Sequence, residues 1–132
     1  LCDRCLSKCL KNTPEFFLES QIFRKGDHRM ADIMVTFAHD FTTKWEMEAF
    51  ARQDMKGFEA IKDQLVELGM TDAKHGVLFG QKDKYRTIAV LSFKDIEAYQ
   101  KCMEVIEGGD WDEEVVKVFR QENYVIDAEI VL

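Results

Sequence analysis

The residues from Met30 to Leu132 predict an α+β domain in the order βαββαβ. Three observations carry that prediction. Apolar residues alternate with polar ones at the strand period in Ile33 to Phe41 and in Tyr124 to Leu132. Two stretches between these runs carry apolar residues at three- and four-residue steps, each opened by a capping residue and closed by glycine. A central run, Arg86 to Phe93, is apolar on both of its faces.

The elements follow in chain order. In the first strand Ile33, Val35, Phe37, His39 and Phe41 form the more apolar set and should face the helices. Thr43 and Glu46 form a capping box: the Thr oxygen accepts from an early backbone amide and the Glu reaches back. In the long helix that follows, Met47, Phe50, Ala51, Phe58, Ile61, Leu65 and Leu68 point inward; Gly57 is a weak spot and Gly69 the left-handed stop. Lys74 to Phe79 reads as the second strand, Gly80 to Tyr85 as a polar hairpin loop, and Arg86 to Phe93 as the third strand. Asp95 caps the next helix, with Ile96, Tyr99, Met103 and Ile106 inward and Gly108-Gly109 at its end. Asp110 to Glu113 resembles another capping box, with Val115, Val116 and Phe119 on the inner side of a short helix. The last strand is read as Tyr124 to Leu132.

Composition narrows the functional classes. The net charge of −7 disfavours nucleic acid, whose binding draws most of its affinity from a basic face. No apolar run approaches the ~20 residues that cross a bilayer, so no membrane partner is expected and the reading is of a soluble, cytoplasmic protein. In that compartment the four cysteines are reduced thiols. No Gly-rich phosphate loop and no nucleophile elbow is present, and no cofactor is expected.

Residues 1–29 differ from the rest. They hold six basic residues against four acids, a charge of +2 that leaves −9 for the remainder, and they hold the single proline. They are read as an N-terminal extension, dispensable if Met30 is the functional start, beside the domain at 30–132. The other reading is a pair of short helices, with Thr13 as cap and Pro14 at the first helical position. Cys2, Cys5 and Cys9 share one helical face and are weak metal candidates. A fourth ligand would have to come from Cys102 or His28. An apolar stripe with cysteine as a small hydrophobe explains the same spacing, so no metal is expected.

The order βαββαβ in this length is the ferredoxin-like arrangement. Three pieces resemble the dimeric α+β barrel superfamily: the strand Ile33 to Phe37, the hairpin from Val77-Leu78-Phe79-Gly80 to Thr87–Phe93, and the helix start Lys94 to Tyr99. The resemblance covers residues 30–132 and lies in strand ends and loop lengths rather than in a catalytic signature. It implies an antiparallel four-stranded sheet with helices on one face, two sheets packed across a dimer axis, and pockets between each sheet and its helices. The superfamily includes cofactor-independent monooxygenases, haem-degrading enzymes, isomerases and non-catalytic members, and no residue set here selects one of them. The third strand, apolar on both faces with helices for only one, independently predicts a homodimer through the sheets.

In that topology the sheet order is 4-1-3-2 in predicted strands. The candidate ligand pocket sits at the His39 end, with Arg86 and Tyr124 at the starts of the third and fourth strands and with Tyr85 and Trp45 adjacent in the chain. A proton carrier, a cation, two phenols and an indole suit a small aromatic or anionic ligand. Each has a plainer reading: a backbone partner for His39, packing for Trp45, an acid partner for Arg86. His75 is placed at the start of the second strand, at the opposite end from His39. Asp127 and Glu129 belong to a surface or a dimer rim, and the acids from Asp110 to Glu114 to a solvated helix start. Two functions follow: a small-molecule binder, extending to a cofactor-independent enzyme, or a non-catalytic dimeric interaction or regulatory module. A metal or iron–sulfur protein on the N-terminal thiols is the third.

Overall fold

The computed structural model describes the backbone of Ile22–Arg24 and residues 31–132. The elements are β1 (Ile22–Arg24), β2 (Ile33–Phe41), α1 (Lys44–Leu68), β3 (Met70–Val77), β4 (Tyr85–Phe93), α2 (Ile96–Glu107), β5 (Val118–Val125) and β6 (Ala128–Ile130). Strands β3-β4-β2-β5 form one antiparallel-paired sheet, and β1 pairs with β6 in a separate two-stranded ladder. With that ladder set aside, the order is the predicted 4-1-3-2 and the fold is ferredoxin-like.

Side-chain alternation sets which face the helices cover. Ile33, Val35, His39 and Phe41 of β2 are buried with Phe37 partly so, while Met34, Thr36, Ala38 and Asp40 turn to the other face. On β4 the buried set is Thr87, Leu91 and Phe93; Arg86, Ile88, Val90 and Ser92 face away from the helices.

Helix α1 starts and stops as its sequence dictates. The Thr43 oxygen accepts from the Glu46 amide at 3.2 Å, and its hydroxyl donates to the Glu46 carboxylate at 2.8 Å. Gly69 closes the helix at φ 117°, its amide bonding the Leu65 and Val66 carbonyls. Glycine is required there twice over, because a Cβ would also stand 2.5 Å from that of Ala98. Helix α2 opens on Asp95, whose carboxylate accepts from the Ala98 amide at 2.7 Å.

Three expectations are corrected. The second strand begins at Met70, directly after Gly69, and ends at Val77. Met70 enters the core, so the chain passes into the strand without a loop. The short helix after Asp110 does not form: the chain makes a turn, with Glu114 donating to Asp112 at 3.1 Å and Val116 to the Glu113 carbonyl at 3.0 Å. The fourth strand therefore starts at Val118, six residues earlier than expected, and is interrupted before Ala128. The helical spacing of Val115, Val116 and Phe119 competes there with β-branched residues that suit a strand edge. The Lys117 amide settles the contest by bonding the Asp40 carbonyl at 2.7 Å, which starts the β2–β5 ladder.

The core has two centres. Ile33, Val35, Leu65, Met70, Leu91, Phe93, Ala98 and Cys102 form the larger. Phe41, Met47 and Phe50 form the smaller, against Tyr85 and Val116. Helix α1 belongs to both and spans the gap between them. The main sheet, both helices and both core centres lie after residue 30; residues 22–24 pair with β6. Deleting residues 1–29 should therefore leave a cooperative thermal melt, lowered by the loss of that pairing. Calorimetry of the truncated chain checks this, and loss of the transition would place the segment in the core.

Candidate functional site

Between the two core centres lies a half-open cavity of about 420 Å³. Its floor is the helix-facing side of the sheet: Phe37 and His39 of β2, Ala89 and Leu91 of β4, His75 of β3 and Phe119 of β5. Asp54, Met55 and Phe58 of α1 form one wall, Met103 and Ile106 of α2 another. Trp111 and Glu113, on the loop between α2 and β5, stand over it. The lining is largely apolar, with a few polar groups converging at one end, which is the make-up of a small-molecule pocket.

The loop is held against α1 by shape. A Cβ at Gly57 would come within 2.6 Å of the Trp111 ring, so the mid-helix glycine is the seat of the indole. The indole N–H donates to the Ile106 carbonyl, tying the loop to α2 as well.

His39 is buried at 6% exposure, its ring 4.7 Å from that of Phe50 and 4.8 Å from that of Phe119. Its Nε2 stands 3.8 Å from Glu113 Oε1, beyond a hydrogen bond, and the pair becomes ionic only when the imidazole is protonated. Burial lowers the His39 pKa below its ordinary 6.5, opposed by the negative charges of Asp54 and Glu113. The ring is thus neutral near pH 7, with a lone pair able to accept a proton. Burial also raises the Asp54 pKa above its ordinary value, against the pull of His39 and His75. His75 Nε2 is enclosed and has no hydrogen-bond partner among the described residues.

Of the five expected pocket residues, the structure brings His39 to the cavity and places the other four elsewhere. Trp45 sits on the outer side of the first helical turn at 76% exposure, because Met47 and Phe50 take the inward positions. Tyr85 packs on the Phe41–Phe50 centre. Arg86 lies opposite Asp40 on the far face of the sheet and grips its carboxylate with two nitrogens, Nη2 to Oδ2 at 3.0 Å. That bond holds the Asp40 carboxyl below its usual range. Tyr124 lies opposite Met34, near the other end of β2, because β5 begins six residues before the expected start. Its hydroxyl donates to Glu122 at 3.2 Å.

His75 moves the opposite way. Since β3 starts at Met70, His75 lies late in that strand, opposite Ala89, while His39 is opposite Thr87. Both histidines face the cavity from one end of the sheet, not from opposite ends. Asp54 was overlooked, yet the helix carried a sign of it. Phe50, Asp54 and Phe58 are four-residue steps on one face, and the middle one is a carboxylate. Cys2, Cys5, Cys9 and His28 fall outside the described residues. Cys102 is fully buried with its Sγ 3.4 Å from the Leu65 carbonyl, so it offers a metal no free thiol, and burial raises its pKa. Among the described residues no group of His, Cys, Asp and Glu is arranged to hold a metal ion.

The buried His39 and the half-buried Asp54 couple stability to pH with opposite signs. His39, its pKa lowered, binds a proton more readily when unfolded, so stability falls as pH drops below about 6.5. Asp54, its pKa raised, contributes stability at low pH that is lost as pH rises through its folded value. Asp54→Leu should therefore raise the melting temperature at pH 7 by an amount equivalent to on the order of 1 kcal/mol, with the gain shrinking toward acid pH. Melts of wild type and variant across pH check it; destabilisation at pH 7 would show the carboxylate to be well satisfied.

No family model matches the sequence, and no curated protein matches it. Solved structures share its fold. A dimeric ferredoxin-like protein from an uncultured marine organism aligns at a TM-score of 0.65 and 20% identity, over 80% of this chain and 96% of that one. A putative antibiotic biosynthesis monooxygenase from Bacillus cereus aligns at 0.56 and 13%, over 73% and 93%. A Streptomyces coelicolor monooxygenase in complex with the ligand Nanaomycin D aligns at 0.50 and 10%, over 80% and 96%. These likenesses bear out the ferredoxin-like fold.

Proposed function

We propose that the chain is a homodimeric small-molecule-binding protein, with its ligand in the cavity between sheet and helices and His39 as the proton acceptor there. The carrying observation is the cavity itself: about 420 Å³, mainly apolar, with a buried imidazole in its floor. Such a base needs no cofactor to take a proton from a hydroxyl or an activated carbon, provided the acidic atom lies within hydrogen-bond reach. Fold likeness does not carry an activity. It does supply a consistent setting, since one fold neighbour holds a small-molecule ligand.

The non-catalytic reading needs a pocket filled by Phe37, Trp45 and Phe58. Phe37 in the floor and Phe58 in a wall leave the space open, and Trp45 lies outside it. That favours the ligand-binding reading.

The dimer reading rests on the other side of the sheet. Ile88, Val118 and Tyr124 are exposed there at 38%, 43% and 43%, beside Met34, Ala38 and Val90. Both helices lie on the opposite face, so a second sheet is the natural cover. Two fold neighbours are dimeric ferredoxin-like proteins.

Two measurements test the proposal. Thermal shift with uncharged aromatic alcohols should find stabilisers of wild type, worth about 1.4 kcal/mol at ten times Kd. Ala89→Phe, which projects a ring from the sheet floor into the cavity, should fold and abolish the shift; an undiminished shift would place binding elsewhere. Light scattering should give a dimer at micromolar concentration and a monomer for Ile88→Glu. A monomeric wild type would overturn the assembly.

A further inference from the structure

We propose that the cavity selects a hydrophobic organic cation, an amine or ammonium compound with an aromatic or alkyl body, over an anion of the same shape. This rests on the small-molecule reading above and adds the charge of the ligand to it.

The argument is a census of what faces the space. Phe37, Phe58, Phe119 and Trp111 present aromatic surface to it. The ionisable side chains are Asp54, Glu113 and, at the rim, Glu107, together with the two histidines. No arginine lines the cavity among the described residues. Lys74, which borders it, belongs to the other parity of β3: its side chain is 75% exposed and its Nζ lies 3.4 Å from Asp72. Arg86, the cation that would have suited an anionic ligand, is on the far side of the sheet, held by Asp40.

With His39 neutral the cavity is thus acidic and aromatic. An incoming carboxylate would leave water to meet Asp54 and Glu113, and the one cation at the border, Lys74, is exposed and paired with Asp72. An ammonium group reverses each of these effects. It supplies Asp54 with the positive partner its burial leaves wanting, and it is attracted to the faces of the surrounding rings. The apolar body of the ligand fills the region lined by Leu91, Met103 and Ile106.

The two tryptophans make the test direct. Trp45 lies outside the cavity and Trp111 in its wall, so the full chain with Trp45→Phe reports on Trp111 alone. Phenylbutylamine, phenylbutanol and phenylbutyrate share one body and differ in charge. Titrated at neutral pH, the amine should bind about tenfold more tightly than the alcohol, and the carboxylate most weakly. Asp54→Asn in the same background should bring the amine-to-alcohol ratio toward one, with a thermal melt confirming its fold. Equal affinities, or a preference for the carboxylate, would overturn the charge selection and leave the small-molecule site standing. Binding by none of the three, and by none of the uncharged aromatics used above, would overturn the site and the selection together.

Discussion

A single polar position on the buried stripe of α1 governs the middle of this fold. The helix is anchored at its start by Met47 and Phe50 and near its end by Leu65. Between those anchors the inward residues are Asp54, Phe58 and Ile61, and the first of them cannot be pressed onto an apolar sheet without a desolvation cost. The sheet beneath brings His39 and His75 to the same cavity, and both act on the Asp54 carboxyl. The two core centres therefore close at either end and leave space between them. The loop carrying Trp111 bridges that space and is positioned by Gly57, whose missing side chain makes room for the indole.

This arrangement has an energetic consequence. A sealed, empty void of about 420 Å³ would cost on the order of 10 kcal/mol at ~24 cal/mol per Å³, as much as a whole domain of this size commonly has in reserve. The cavity can persist because it is half-open, so that its polar end is not cut off from water. The buried imidazole and the half-buried carboxylate add smaller costs of their own. Unfavourable groups gathered at one place, in a molecule otherwise well packed, are the usual mark of a site maintained for something other than stability.

How far the sequence reveals this depends on which signal each residue leaves. Strand parity placed His39 on the helix side, because a period of two is unforgiving and its neighbours Val35 and Phe41 are plainly apolar. Caps placed Thr43, Asp95 and Gly69, since each satisfies backbone groups locally. Strand starts were less legible. Val115, Val116 and Phe119 fit a helical step as well as the lead-in to a strand, and a backbone bond from Lys117 to Asp40, remote in sequence, decides between them. That one ambiguity carried Tyr124 to the wrong end of β2. A four-residue error in the start of β3 did the same for His75. Asp54 was legible as an interruption in a helical stripe, but only to a reading that asks what the interruption is for.

The consecutive residues His39 and Asp40 show how the sheet separates chemistry. Alternation sends the imidazole into the cavity and the carboxylate to the opposite face. Antiparallel pairing then sets Arg86 directly across from Asp40, and the guanidinium is spent in a two-pronged bond there. Had the hairpin register slipped by one residue, Arg86 would point toward His39 and the cavity would carry a cation. In the register observed, charge of one sign is neutralised on one face while acidic groups remain around the cavity on the other. The electrostatic character of the pocket is thus settled by strand pairing, several residues away from any ligand it could hold.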